Sequence, residues 1–157
     1  SVARVAEVFG MRVLLAQRPG AAEPEEGRVP LPILLPRVDV LSLHCPLIPE
    51  TRGLIGPWEL ALMRRDAILI NTARGGLVDE ALLADALRKG ALGGAGVDVL
   101  SLEPPTAGNP LLAPDIPNLI VTPHSAWGSR ESRQRLIGQL AENIQGYLDG
   151  EPVRTVG

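Results

Sequence analysis

The chain has 157 residues, 45% of them hydrophobic, and a formal net charge of −3. That length and apolar content suit one folded domain with a real core and exclude a disordered chain. The charge gives no basic footprint for nucleic acid, the lone Cys45 excludes an internal disulfide framework, and one cysteine with two histidines cannot build a Cys/His zinc cluster. No apolar run is long enough to span a bilayer and the first residues carry no leader pattern. A cytoplasmic protein is expected, with no metal, membrane or nucleic-acid partner.

Residues 1–9 predict a helix with Val2, Val5, Ala6 and Phe9 on one face, Ser1 as its cap and Gly10 at its end. Arg12–Ala16 (RVLLA) predicts a strand that leaves through a turn at Gln17-Arg18-Pro19-Gly20. Residues 20–28 are rich in Ala, Glu, Pro and Gly, which predicts a mobile surface loop. Leu31–Leu35 fits one helical turn between two prolines. Val38–Leu43 (VDVLSL) predicts a strand ending at His44-Cys45-Pro46, and Pro57–Met63 a short helix with proline in its first turn.

Ala67–Asn71 predicts a buried strand that stops at a tight turn, Asn71-Thr72-Ala73-Arg74-Gly75-Gly76. Asp79 then caps an amphipathic helix to Lys89, with Leu82, Leu83, Ala86 and Leu87 inward. Gly94–Leu100 (GAGVDVL) is a further strand, residues 104–117 a proline-rich excursion, and Asn118–Thr122 (NLIVT) the last strand. Residues 129–148 form the longest helix, with Leu136, Leu140, Ile144, Tyr147 and Leu148 as its inner stripe and Trp127 packing near its start. Near-continuous apolar strands separated by helices or long crossovers predict an α/β fold. Its parallel sheet would be covered on both faces by flanking helices.

In such a sheet ligands bind beyond the carboxyl ends of the strands. Three of those ends deliver ionisable groups: Arg74, Glu103 and His124. The trio suits carbonyl reduction. Histidine donates a proton to the carbonyl oxygen, a carboxylate orients the imidazole, and arginine holds a substrate carboxylate through paired hydrogen bonds. Each residue alone also fits an ordinary loop role; the expectation rests on the three together.

Asn71-Thr72-Ala73-Arg74-Gly75, Gly96-Val97-Asp98-Val99-Leu100 with Glu103-Pro104, and Thr122-Pro123-His124-Ser125-Ala126 resemble the successive motifs of the D-2-hydroxyacid dehydrogenases. The resemblance runs to about residue 150. It implies a Rossmann-type fold with NAD or NADP as cofactor and a short 2-oxo or 2-hydroxy acid as substrate. It also implies a homodimer. It assigns Arg74 to the substrate, His124 to acid/base work, Glu103 to the histidine and Asp98 to the nicotinamide amide. Thr72, Ala73, Arg74, His124 and Ala126 would lie along the cofactor, and His44, Cys45, Pro46 and Thr51 toward its adenine end. Read alone, His44 is structural and Cys45 a small packing thiol. Within the family, His44-Cys45-Pro46-Leu47 and His124-Ser125-Ala126-Trp127-Gly128 resemble the hydroxypyruvate reductase and glycerate dehydrogenase branch most.

Two departures matter. The family carries a strand and a G-x-G-x-x-G turn ahead of the first helix, and no such turn occurs in these 157 residues. The expectation is a segment: residues 1–128 as a partial dinucleotide-binding domain lacking its first strand and Gly-rich turn, and residues 129–157 as a helix and tail returning to an absent substrate domain. By itself it should bind dinucleotide weakly, because that turn supplies the backbone N–H groups for the pyrophosphate. The second departure is Gln17-Arg18, where NAD-dependent relatives place an acidic residue; NAD versus NADP stays open. A dinucleotide-sensing corepressor and an inactive truncated domain are the rival readings. Formate and phosphite dehydrogenases share the architecture.

Overall fold

A computed structural model describes residues 2–155 except Ala22 and Pro24; Ser1, the expected helix cap, lies outside the described residues, as do two positions of the expected mobile loop. The chain forms two compact units, Ser1–Pro123 and His124–Gly157.

The first unit holds α1 (Val2–Val8), β1 (Leu15–Ala16), β2 (Arg28–Val29), α2 (Leu31–Leu34), β3 (Val40–Leu43), α3 (Pro57–Leu62), β4 (Ile68–Asn71), α4 (Glu80–Arg88), β5 (Gly94–Val97) and β6 (Leu119–Val121). All strand pairs are parallel. β1 and β2 make one small sheet, and β3-β4-β5-β6 make the main sheet in sequence order. Strand, crossover helix, neighbouring strand is the arrangement that parallel pairing demands.

The core lies on one face of the main sheet. Leu41, Leu43, Leu69, Ala95 and Val97 point into it and meet Leu34, Leu35, Leu60, Leu83 and Leu87 from the helices. α4 starts where expected, because the Asp79 carboxylate accepts the Leu82 N–H at 3.0 Å. Gly56 before α3 is held by the Glu59 carboxylate at 3.0 Å.

The expectation of cover on both faces is corrected. The alternate residues Val40, Ile68 and Ile120 are 44%, 41% and 70% exposed, so the second face is open. Apolar runs in the strands are compatible with two-sided burial but do not supply the second layer. The same holds for α1, whose expected buried face, Val2, Val5 and Phe9, is exposed. The loop after β1 also differs from expectation. It ends in β2, locked to β1 by Gln17 N–H to Val29 O at 2.9 Å and by the Arg28 guanidinium to Ala16 O at 2.8 Å. The first strand shortens to two residues because only Leu15 and Ala16 find partners there.

The second unit is dominated by α5 (Arg130–Leu148), capped by the Ser129 hydroxyl, which accepts the Ser132 N–H at 3.1 Å. Its expected inner stripe is exposed: Leu136, Leu140, Ile144, Tyr147 and Leu148 are all more than half accessible. Helical periodicity marks a face suited to packing without saying what packs on it. Among the described residues no helix is long and apolar enough to cross a membrane.

Candidate functional site

Register builds the site's floor. Leu43, Asn71 and Val97 align across β3, β4 and β5, and Val97 pairs with Val121 of β6. The following residues, His44, Thr72, Asp98 and Thr122, therefore form one row at the carboxyl edge of the sheet.

At the end of β4 the chain turns on Asn71. This side chain is 2% exposed; its Oδ1 accepts the Ala73 N–H at 3.1 Å and its Nδ2 donates to Arg74 O at 3.0 Å. A short amide that bonds the backbone two and three residues on is a turn former. The turn leaves Thr72 and Arg74 exposed and Ala73 half-buried, and Arg74 Nη1 rests on Ala73 O at 2.7 Å. That bond engages one of the five N–H donors of the guanidinium.

Gly75 explains why the motif continues with glycine. A Cβ there would lie 1.9 Å from Leu100 O and 2.5 Å from Ser101 N. The turn after β4 is thus pressed against the backbone leaving β5. Gly75→Ala should cost at least ~1–3 kcal/mol, since backbone and not a flexible side chain is in the way. The urea midpoint of the variant measures this; an unchanged midpoint would show that the two segments are not in contact.

β5 stops at Val97, earlier than the expected Leu100. Asp98 follows, 3% exposed, with its N–H on Asn71 O at 2.9 Å and its carboxylate accepting the Thr122 hydroxyl. Glu103 sits on the exposed loop beyond, with Oε1 accepting the Leu100 N–H at 2.7 Å. Arg74 and Glu103 are therefore carried on two segments that touch through Gly75 and Leu100.

On the β1 side, Gln17 is half-buried and its Nε2 donates to Glu23 O at 3.2 Å. Arg18 is exposed. Its N–H is accepted by the Glu25 carboxylate at 2.8 Å, and its Nε lies 3.5 Å from the same group. Past β3, His44 is exposed with Nε2 2.8 Å from Ser42 Oγ. Cys45 is half-buried, and burial pushes its thiol above the ordinary range, as suits a packing role. Thr51 is 1% exposed, with its hydroxyl given to Pro46 O at 2.7 Å while accepting the Ile48 N–H at 2.9 Å. It shapes the Pro46–Thr51 loop from within.

In the second unit, His124 is half-buried and adopts φ 50°, the left-handed region. A non-glycine residue there costs on the order of 1 kcal/mol or more, and such positions concentrate at functional sites. Its carbonyl accepts Trp127 Nε1 at 2.9 Å, and Gly128 N–H closes a turn on Ser125 O at 2.8 Å. Ala126 is exposed in that turn. Trp127 belongs to the turn and not to the helix, and is 54% exposed.

Sequence reading places Asn71 and Thr122 in motifs without giving them a bonding role, and singles out neither Glu80 nor Glu25. A polar residue closing an apolar strand was the available signal for Asn71. Nothing local marked the others, whose partners are distant in sequence.

The fit to a dinucleotide can be judged on this geometry. The row beyond the strands presents a buried carboxylate, Asp98, small side chains at Thr72 and Ala73, and an exposed guanidinium. That set suits an amide-bearing ring and an anionic small molecule.

Comparison with known proteins agrees with the geometry. Residues 1–126 match the family model described as D-isomer specific 2-hydroxyacid dehydrogenase, NAD binding domain. A glycerate dehydrogenase of Methylorubrum extorquens is 50% identical over 156 residues, covering 99% of this chain and 48% of that protein. Among solved structures, an NADPH-dependent glyoxylate/hydroxypyruvate reductase from Sinorhizobium meliloti, in complex with citrate, superposes with TM-score 0.85 at 30% identity, covering 99% of this chain and 49% of the other. An NAD complex of a D-isomer specific 2-hydroxyacid dehydrogenase from Lactobacillus delbrueckii gives TM-score 0.83 at 30% identity, covering 99% and 51%. The chain spans about half the length of each of these relatives.

Proposed function

Since the chain belongs to the D-isomer specific 2-hydroxyacid dehydrogenase family through its NAD-binding domain, we propose that it works as the cofactor-binding half of a longer cytoplasmic enzyme that reduces a short 2-oxo acid such as hydroxypyruvate or glyoxylate. The single observation that supports this reading most is the pairing of the two segments beyond β4 and β5: an Asn71 turn that presents Arg74, pressed through Gly75 onto the strand exit that leads to Glu103.

A nicotinamide cofactor held along Thr72, Ala73 and Asp98 would supply the hydride. Arg74 holds the substrate's carboxylate through its fork of N–H donors and so orients the neighbouring carbonyl. His124 gives a proton to the carbonyl oxygen, which prevents an alkoxide from accumulating. Glu103 fixes the imidazole orientation. Asp98, on the row past the strands, would accept from the cofactor's amide. Residues 129–157 form the helix and tail that return to a substrate domain, and the whole protein works as a homodimer.

For the cofactor end, Glu25 bears on the choice. Arg18 would attract a 2′-phosphate, but its N–H and side chain already face the Glu25 carboxylate. The Glu25 carboxylate beside Arg18 adds negative charge where a 2′-phosphate would sit, so the full-length protein should turn over NADH in preference to NADPH. Steady-state assays of hydroxypyruvate and glyoxylate reduction with both cofactors test both statements. Equal or better turnover with NADPH would overturn the Glu25 argument, and no turnover with either would overturn the dehydrogenase reading.

A further inference from the structure

We propose that Glu80 is a positioning residue: its carboxylate clamps the loop that carries Glu103 against the segment that carries Arg74. The proposal rests on the dehydrogenase reading above.

Glu80 stands in the first turn of α4, six residues beyond Arg74. Oε1 accepts the Ser101 N–H at 2.6 Å, while Oε2 accepts the Ser101 hydroxyl and the Asn109 side-chain amide, each at 2.6 Å. These two attachment points bracket residues 102–108, and Glu103 lies between them. Both ends of the loop are fixed elsewhere as well. Asn109 Oδ1 accepts the Leu111 N–H at 2.9 Å, and Leu111 is buried in the core. Next to Ser101, the Leu100 backbone is the surface on which Gly75 rests.

Helix capping does not require Glu80, because Asp79 already performs it. A carboxylate near a helix N-terminus is favourably placed, and its bonds are of the strong, charge-assisted kind. Three donors converge on one carboxylate, all from the far side of a crossover. Between Ser101 and Asn109 the loop residues are mostly exposed and have no core of their own. Their order draws on these anchors, beside the Glu103 bond to Leu100 N–H and two local backbone turns. Without Glu80 the loop keeps its fold at both ends and Glu103 keeps its bond to the Leu100 N–H, but the tie between the ends is lost and Glu103 is held less firmly against the Arg74 turn.

Glu80→Ala and the gentler Glu80→Gln, made in the full-length protein, test this with hydrogen exchange of the 100–109 peptide and with kinetics. In the alanine variant exchange of that peptide should accelerate while β4 and β5 peptides stay protected. Its kcat for a 2-oxo acid should fall on the order of 10- to 10²-fold, the scale of a modest misplacement of a reacting group. KM for NADH should stay constant, since the β1 end is untouched. Glutamine keeps one acceptor oxygen and should recover part of kcat. Wild-type exchange in the 100–109 peptide of both variants would overturn the proposal, as would faster exchange with unchanged kcat. Loss of protection spread over β4 and β5, with NADH binding lost in step, would make Glu80 merely structural. A wild-type protein inactive on every 2-oxo acid would instead remove the dehydrogenase reading, and the proposal with it; that result shows in the control and not in the variants.

Discussion

His124→Gln in the full-length protein should lower kcat for reduction of a 2-oxo acid by ~10²–10⁴-fold, the usual worth of a positioned general acid. Glutamine keeps a polar side chain that can hydrogen-bond the carbonyl oxygen, but it has no proton to release at neutral pH. The substitution thus removes the chemistry and spares much of the binding. His124 also sits at a left-handed backbone position, which glutamine tolerates less well. The measurement should therefore pair kcat with a melting curve, so that a lost proton donor is separated from a loosened turn. Unchanged kcat in a folded variant would take the acid/base role away from this residue.

Arg74→Ala should reduce kcat/KM for the same substrate by roughly 10²–10⁴-fold, because two charge-assisted hydrogen bonds at about 1.5–3 kcal/mol each are lost. Arg74→Lys retains the positive charge without the planar fork, and should recover only part of the loss. The fold should survive both changes, since Arg74 is exposed, its side chain donates to Ala73 O, and the Asn71 bond to its backbone carbonyl does not depend on the side chain. Equal kcat/KM in variant and wild type would mean that the substrate's carboxylate is held elsewhere.

Much of this was legible in the amino-acid sequence. The order of elements in the main sheet, the Asp79 cap and the placement of the three motifs beyond successive strands follow from apolar runs, turn residues and capping chemistry, which act within a few residues. Strand length was less legible. Val99 and Leu100 are apolar, yet β5 ends at Val97, and the chain at Leu100 lies against the Gly75 turn instead of a neighbouring strand. β2 was hidden because two residues carry no period. The open sheet face and the exposed faces of α1 and α5 depart from expectation for one reason. A run of apolar side chains reports what a surface is fit to contact, and only tertiary structure reports whether contact is made. The same limit hid Glu80, whose three donors lie 21 and 29 residues away. Its neighbour Asp79 was found because its partner is three residues on.

The most direct measurement is the reduction of hydroxypyruvate by the full-length protein with NADH, following cofactor absorbance and resolving the product on a chiral column. We expect one glycerate formed per cofactor oxidised, all of it the D isomer. Firm NADH binding without oxidation by hydroxypyruvate, glyoxylate or pyruvate, or a product of the L series, would contradict the assignment of Arg74, Glu103 and His124 to this chemistry.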